Sequence, residues 1–393
     1  MRSFSALAQA SVLSLTLACA EPADESPVVA PGAPLPGLSE AELASFERGR
    51  AWFDRGWTPE EGLGPLYLQD RCSSCHDLPA IGGTGVEMLP LMTRWDPATG
   101  CDPLVEKGGP IQQQAATPLA RAAGILHETV PEGATESLQE TAPLLFGLGL
   151  VEAIPASVIE SRADPDDADG DGISGRVHWT ADGRLGRLTR RADVASIEDL
   201  VVGALVTELG LTSPQAPTEE GLNGQPLPAG TDPAADPEVD QVTVRALADF
   251  IRFLAPPAPE APVTPEARDS VVEGSRLFRR IGCASCHVPT LETGPNSVAA
   301  LSRKPIHLYS DLLLHDLGPE VRSICSGDVS PTEVRTPRLM GLRLKEPYAV
   351  SWITPSLERR ILAHGGEARK AREAYEQLTA DARSLLVRFL LSL

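Results

Sequence analysis

Aromatic side chains are scarce in this sequence: eight Phe, five Trp and four Tyr in 393 residues, with only four Met beside them. A chain so short of bulky apolar groups, and so rich in the two helix-breakers at 34 Gly and 36 Pro, is ill suited to long helices around a large side-chain core. Its elements must be short and joined by long loops, which leaves interior volume for something other than protein to fill. Positive charge is also in deficit. Lys and Arg number 34 against 54 Asp and Glu, a net charge of −20, which argues against a nucleic-acid partner because the phosphate backbone is bound by clustered Lys and Arg. Past residue 20 no apolar run is long enough to cross a bilayer as a helix.

What is present is cysteine and histidine, seven of each, in a telling arrangement. Cys-x-x-Cys-His occurs twice, as Cys72-Ser73-Ser74-Cys75-His76 and Cys283-Ala284-Ser285-Cys286-His287. Chance would supply about 0.002 copies at this composition. The pattern is that of c-type haem attachment: Cys72, Cys75, Cys283 and Cys286 add to haem vinyl groups, and His76 and His287 supply the proximal axial nitrogens. A zinc ribbon would keep its paired motifs about 15–20 residues apart, and a thioredoxin-like pair has no use for the following His. Two haem c groups are therefore expected.

The chain opens like an export signal, with Arg2 ahead of an apolar run from Ala6 to Leu17. Leu15-Thr16-Leu17-Ala18-Cys19 reads as a lipoprotein cleavage box in which Cys19 is lipidated; ordinary cleavage at Ala18-Cys19-Ala20 is the alternative. Either route leads to the periplasm, or to a membrane anchored only through lipid, where c-type cytochromes are assembled. Residues 20–38, rich in Pro and acid, read as an extended tether.

The rest divides into two halves with one plan. Phe46, Gly49, Phe53 and Trp57 fall on one helical face before the first motif; Val272, Ser275 and Phe278 do so before the second. Leu247, Phe250, Ile251 and Leu254 read as a closing helix, as do Leu386, Phe389, Leu390 and Leu393. The expectation is an all-α fold of two cytochrome c-like domains, at 39–254 and 267–393, joined by a Pro-rich linker at 255–266. The first carries a large insertion over about 90–240.

Several phrases resemble the bacterial di-haem oxidoreductase family, kin to the bacterial di-haem cytochrome c peroxidases and to the di-haem enzymes that mature a tryptophan-derived quinone cofactor. They are Gly62-Leu63-Gly64-Pro65, Phe146-Gly147-Leu148-Gly149, Gly172-Ile173-Ser174-Gly175-Arg176, Glu208-Leu209-Gly210-Leu211-Thr212-Ser213-Pro214, Leu314-His315-Asp316-Leu317-Gly318, Arg335-Thr336-Pro337 and His364-Gly365-Gly366-Glu367. The sequence departs from the family where Tyr348-Ala349-Val350-Ser351-Trp352 stands for Tyr-x-His-Asp-Gly, and where Leu188-Thr189-Arg190-Arg191 stands for an aromatic-bearing phrase.

The sixth iron ligands separate a carrier from an enzyme, because a substrate needs an open position. For the second haem, Leu357, Ile361 and His364 fall on one face of a helix read between Thr354-Pro355 and Gly365; the family resemblance also carries the distal ligand to His364. His315, His307 and Met340 are further candidates. For the first haem the candidates are Met88, Met92, His127 and His178, with Glu87, Glu128 or Gln112 as acid or base if that haem is open. Asp167, Asp169 and Asp171 match the start of a Ca²⁺ loop, though position twelve is His178; a plain acidic turn is the alternative. Cys101 and Cys325 are left for one disulfide or two separate thiols. Trp95 and Trp179 are candidates for an inter-haem relay of the kind the relatives use. The leading reading is a peroxidase-like di-haem oxidoreductase reducing peroxide or another small oxidant with electrons from a small redox protein. The alternatives are a non-enzymatic di-haem electron carrier and an enzyme oxidising a partner protein.

Overall fold

The computed structural model describes residues 29–345 and 356–393. The export signal, Cys19, the first part of the tether, the Tyr348–Trp352 phrase and Thr354-Pro355 lie outside them. Two helix pairs organise the described chain. Glu40–Asp54 begins at a capping box, in which the Ser39 side chain accepts from the Glu42 N–H and Glu42 accepts from the Ser39 N–H. It packs on Gln241–Phe253, whose first turn is capped by Asp240. The two cross at Gly49, where a Cβ would overlap the carbonyl of Ala246, so the backbones approach as only glycine allows. Phe46 and Phe53 close the seam on Phe250 at 5.1 and 4.9 Å between ring centroids.

The second pair, Pro265–Arg280 on Ala380–Leu390, repeats the device. Gly274 meets the Leu385 carbonyl, and Phe278 sits 5.4 Å from Phe389. The inner face of the first of these helices is Gly274, Leu277 and Phe278, whereas Val272 is exposed. That corrects the expected face, which was set one residue off by the apolar pair Val271-Val272. Trp57 is buried but lies beyond its helix, which ends at Asp54.

The all-α expectation fails. Of the described residues 34% are helical and 14% lie in strands or bridges, a mixed α and β structure with several small antiparallel sheets. The largest sits in the insertion: Met88–Asp96 runs between Gly100–Asp102 and Glu136–Thr141, with Leu91 opposite Leu138. Pro90, Leu91, Met92 and Thr93 are buried in succession, so both faces are covered and no alternation betrays the strand. Pro90 within the run argued against one as well. Two-residue and three-residue pairs, such as Leu314–Asp316 with Glu333–Arg335, are too short to carry any period.

The main core contains Phe46, Phe146, Phe250 and Ile251, and also Leu301, Leu308, Leu312, Leu313 and Met340 from beyond the linker. A smaller core gathers Leu277, Phe278, Tyr375, Leu386, Phe389 and Leu393. The linker is docked over its first part: Pro257 is buried, Ala258 accepts from Arg343 Nη2 at 2.6 Å, and the Glu260 N–H donates to Ser392 O at 2.8 Å. Cys101 and Cys325 are bonded to each other, tying the three-stranded sheet to the C-terminal half.

Candidate functional site

The second motif follows its helix directly. Gly282, at φ +90°, takes the left-handed conformation that ends the helix and turns the chain into the short 3₁₀ segment Cys283–Ser285. His287 Nδ1 lies 3.0 Å from the Tyr309 carbonyl. A carbonyl only accepts, so Nδ1 carries the proton and Nε2 presents a lone pair. Burial pushes the pKa of His287 down to about 4, which keeps the ring neutral. Phe278 leans over it at 6.3 Å.

The first motif is reached through a loop from Asp54, and Ser73 Oγ donates back to Asp54 Oδ1 at 2.6 Å. The His76 ring repeats the arrangement of His287. Its Nδ1 lies 2.9 Å from Gly83 O, Phe53 leans over it at 6.0 Å, and burial lowers its pKa, with Pro143 also turning a carbonyl to the ring. Burial raises the thiols of Cys72, Cys75 and Cys283 to about 12. All four motif thiols are free, although Cys101 and Cys325 have paired.

These groups are deeply desolvated, yet His76, His287 and the four motif cysteines each keep some accessible surface. Free paired thiols and a neutral imidazole oriented by a backbone carbonyl are the donor set of a c-type haem, the carbonyl bond being the usual outer-shell support of a ligating His. The residues fit the group at both motifs.

His364 shares this character. Ser356 caps the helix Leu357–Leu362, Leu357 and Ile361 pack on the smaller core, and His364 follows just past the C-cap at Ala363. Its Nδ1 lies 2.7 Å from Arg360 O, no described residue bonds Nε2, and burial holds the ring neutral. It is close enough to His287 to depress the pKa of that ring.

His315 is a different case. Burial opposes its charge, but Asp311 at 3.0 Å on Nε2 and Glu367 at 2.7 Å on Nδ1 outweigh that and lift its pKa to about 12. Both nitrogens are taken, so His315 is a buried cation fastening Glu367 near Cys286, whose Sγ lies 3.9 Å from its Nδ1. His307 is exposed and bonded to Thr290 Oγ1; His127 is exposed and bonded to Glu128 O. His178 is buried, with Nδ1 on Arg191 O and Nε2 3.3 Å from Asp328. Met340 belongs to the main core. Met88 pairs with Thr141, two residues before Pro143, whereas Met92 is four residues further along the strand, on the order of 13 Å away at strand rise.

Of the acid and base candidates, Glu87 lies near Cys75. Glu128 accepts from the N–H groups of Gln113 and Asn223, and its own carbonyl accepts from Gln112 Nε2, so Glu128 and Gln112 fasten loops. The residue missed by sequence reasoning is Glu208. It lies in a π-helical turn, Leu205–Leu209, packed against the stretch before the first motif through the Leu68 N–H to Glu208 O bond. Burial lifts its carboxyl to about 7, and its charge is felt by both Cys72 and Cys75. Nothing in a local pattern could pair Glu208 with a motif so far upstream. Of the calcium candidates, Asp167 and Asp169 come together with Asp164, while Asp171 accepts from the Ile173 N–H instead. Trp179 is half exposed, and Trp95 lies in the hairpin opposite Cys101.

Two helix pairs, each delivering a Cys-x-x-Cys-His turn and a carbonyl-oriented imidazole, define a protein organised around two redox centres. The chain belongs to the family described as "Di-haem oxidoreductase, putative peroxidase", which it matches over residues 133–393. That range includes the second motif and begins after the first. Membership implies haem as the cofactor and electron transfer as the chemistry. The chain is also similar to two solved structures. One is hydrazine synthase of Kuenenia stuttgartiensis pressurised with xenon, at 12% identity and a TM-score of 0.41 over 98% of this chain and 100% of that one. The other is a MauG-like protein associated with microbial copper homeostasis, at 16% identity and a TM-score of 0.30 over 63% and 88%. Among curated proteins none matches the sequence.

Proposed function

We propose that this is an exported c-type di-haem oxidoreductase that takes electrons from a small redox protein and reduces peroxide or another small oxidant. Cys72, Cys75 and His76 would hold one haem, and Cys283, Cys286 and His287 the other, with His364 as a further nitrogen donor beside His287. When bound, haem supplies one-electron chemistry at iron and, where an axial position is open, a place for a small oxidant.

The observation that carries this reading is the inequality of the two surroundings. A second neutral imidazole, His364, accompanies His287, whereas a buried carboxyl, Glu208, accompanies the first motif and no second histidine does. At a pKa of about 7 that carboxyl can both give and take a proton near neutral pH, the property required of a general acid and base. In this reading the residues around His287 and His364 would serve the haem that receives electrons, and those around His76 the haem that the oxidant would meet. Export and anchoring through Cys19 belong to the same reading.

Electron paramagnetic resonance and optical spectra of the purified protein, with and without peroxide, test it. The expected result is one low-spin and one high-spin haem, with only the high-spin signal changing on peroxide. His364→Ala should convert the second haem to high spin as well. Two low-spin haems indifferent to peroxide would reduce the protein to an electron carrier.

A further inference from the structure

Basic residues are the minority charge in this chain, and the interior arginines are largely matched to carboxylates. Arg176 bonds Glu333 and Asp328, Arg191 bonds Asp193, and Arg252 bonds Glu152 and Asp249. Arg187, which donates to the carbonyls of Glu152 and Ile154, breaks the rule, and so do Arg335, Arg338 and Lys345, which lie together. Arg335 donates only to the carbonyls of Thr189, at 2.7 Å, and Thr336, at 3.0 Å. Arg338 donates through Nη2 to the carbonyl of Leu144, and its Nη1 is buried with no partner. Lys345 makes no ion pair among the described residues.

The three belong to one neighbourhood. The Arg335 N–H bonds the carbonyl of Arg190 at 2.7 Å, and each cation lowers the proton affinity of the next. The charged groups facing them are Arg190, Arg360, Asp193, Asp311 and Glu140. Asp193 is bonded to Arg191 and Asp311 to His315, and Glu140 lies at ion-pair distance from Arg190. Burial brings Arg335 down to about 10, Arg338 to about 9 and Lys345 to about 8. Neutral carbonyls satisfy hydrogen bonds but do not balance charge, so unmatched buried cations are costly unless an anion joins them.

The location says which anion. Leu339, next to Arg338, bonds Leu308 O, beside the Tyr309 carbonyl that orients His287. From there the Arg338 side chain crosses to Leu144, next to Pro143, whose carbonyl faces His76. The cations therefore lie between the two motifs. Haem carries two propionate carboxylates on one edge, and a carboxylate is the planar acceptor that a guanidinium fork matches. We propose that Arg335, Arg338 and Lys345 form a partly buried carboxylate-binding site for haem propionates, with Arg338 shared between the two centres. The inference rests on the reading that haem is bound at both motifs.

A fixed positive charge beside a haem favours the reduced iron, which carries one positive charge fewer. Spectroelectrochemical titration of the haem-loaded protein reads this directly. Arg338→Met should lower the midpoint potentials of both haems by at least tenfold in the redox equilibrium constant, about 59 mV for one electron, and Arg338→Lys should restore most of the loss. Arg335→Met and Lys345→Met, which leave the bridge to Leu144 intact, should each lower at least one potential and give the same reading if Arg338→Met does not fold. Unmoved potentials in variants with intact Soret bands would overturn the inference. So would potentials in the unaltered protein that respond to added phosphate, because the site would then be open to solution anions. A wild-type protein without haem would remove the di-haem reading instead, and the two failures are distinguishable.

Discussion

Glu208 and His315 show how a single environment decides what a residue does. Both are buried acid-base groups beside a motif, yet His315 is clamped between two carboxylates while Glu208 has only its desolvation. The sign of the Glu208 effect follows from linkage. Its folded pKa, about 7, lies above the ordinary carboxylate value of the unfolded chain, so the folded state holds the extra proton between the two. Its contribution to stability is fully present below the unfolded value and is lost as pH rises through about 7. Glu208→Gln should flatten that decline, measured by urea unfolding across the interval. The same variant should slow peroxide turnover about 100-fold or more, as loss of a general acid and base does, with the resting haem spectrum unchanged. Turnover at the unaltered rate would strip Glu208 of its role.

At the scale of elements, the repeated helix pair is the framework that holds each motif. Gly49 and Gly274 sit where a Cβ would overlap the partner helix backbone at Ala246 and Leu385. Gly49→Ala and Gly274→Ala should each destabilise by about 1–3 kcal/mol, the usual range for forcing atoms into a packed seam, as read by urea midpoints. The two Cys-x-x-Cys-His motifs and the closing helices were legible in sequence because each is a local pattern of fixed period or spacing. The Met88–Asp96 strand was not, since burial on both faces erases alternation and Pro90 argues against a strand. Nor were the partners of His315 legible, because Glu367 reaches it from far along the chain. His364 stood out as a helix-end histidine, but the carbonyl that turns its Nε2 outward is a fact of three dimensions.

For the whole molecule, the two halves share more than a linker. The helix pairs repeat, but the main core draws Leu308, Leu312 and Met340 across the linker, and Cys101–Cys325 closes a loop with a sequence separation of 224 residues. In the chain-entropy account a bridge over so long a loop stabilises by up to about 5 kcal/mol. Replacing both cysteines by Ser should therefore lower the urea midpoint substantially while leaving haem content intact. An unchanged midpoint would mean that the packed core alone holds the sheet to the C-terminal half.

The shared core also makes the first half of the chain incomplete without the second. A chain ending at Pro262 would lack Leu308, Leu312 and Met340, which join the cluster that encloses Phe46 and Phe250. The apolar surface around the first helix pair is thus covered in full only by side chains from the last third of the polypeptide.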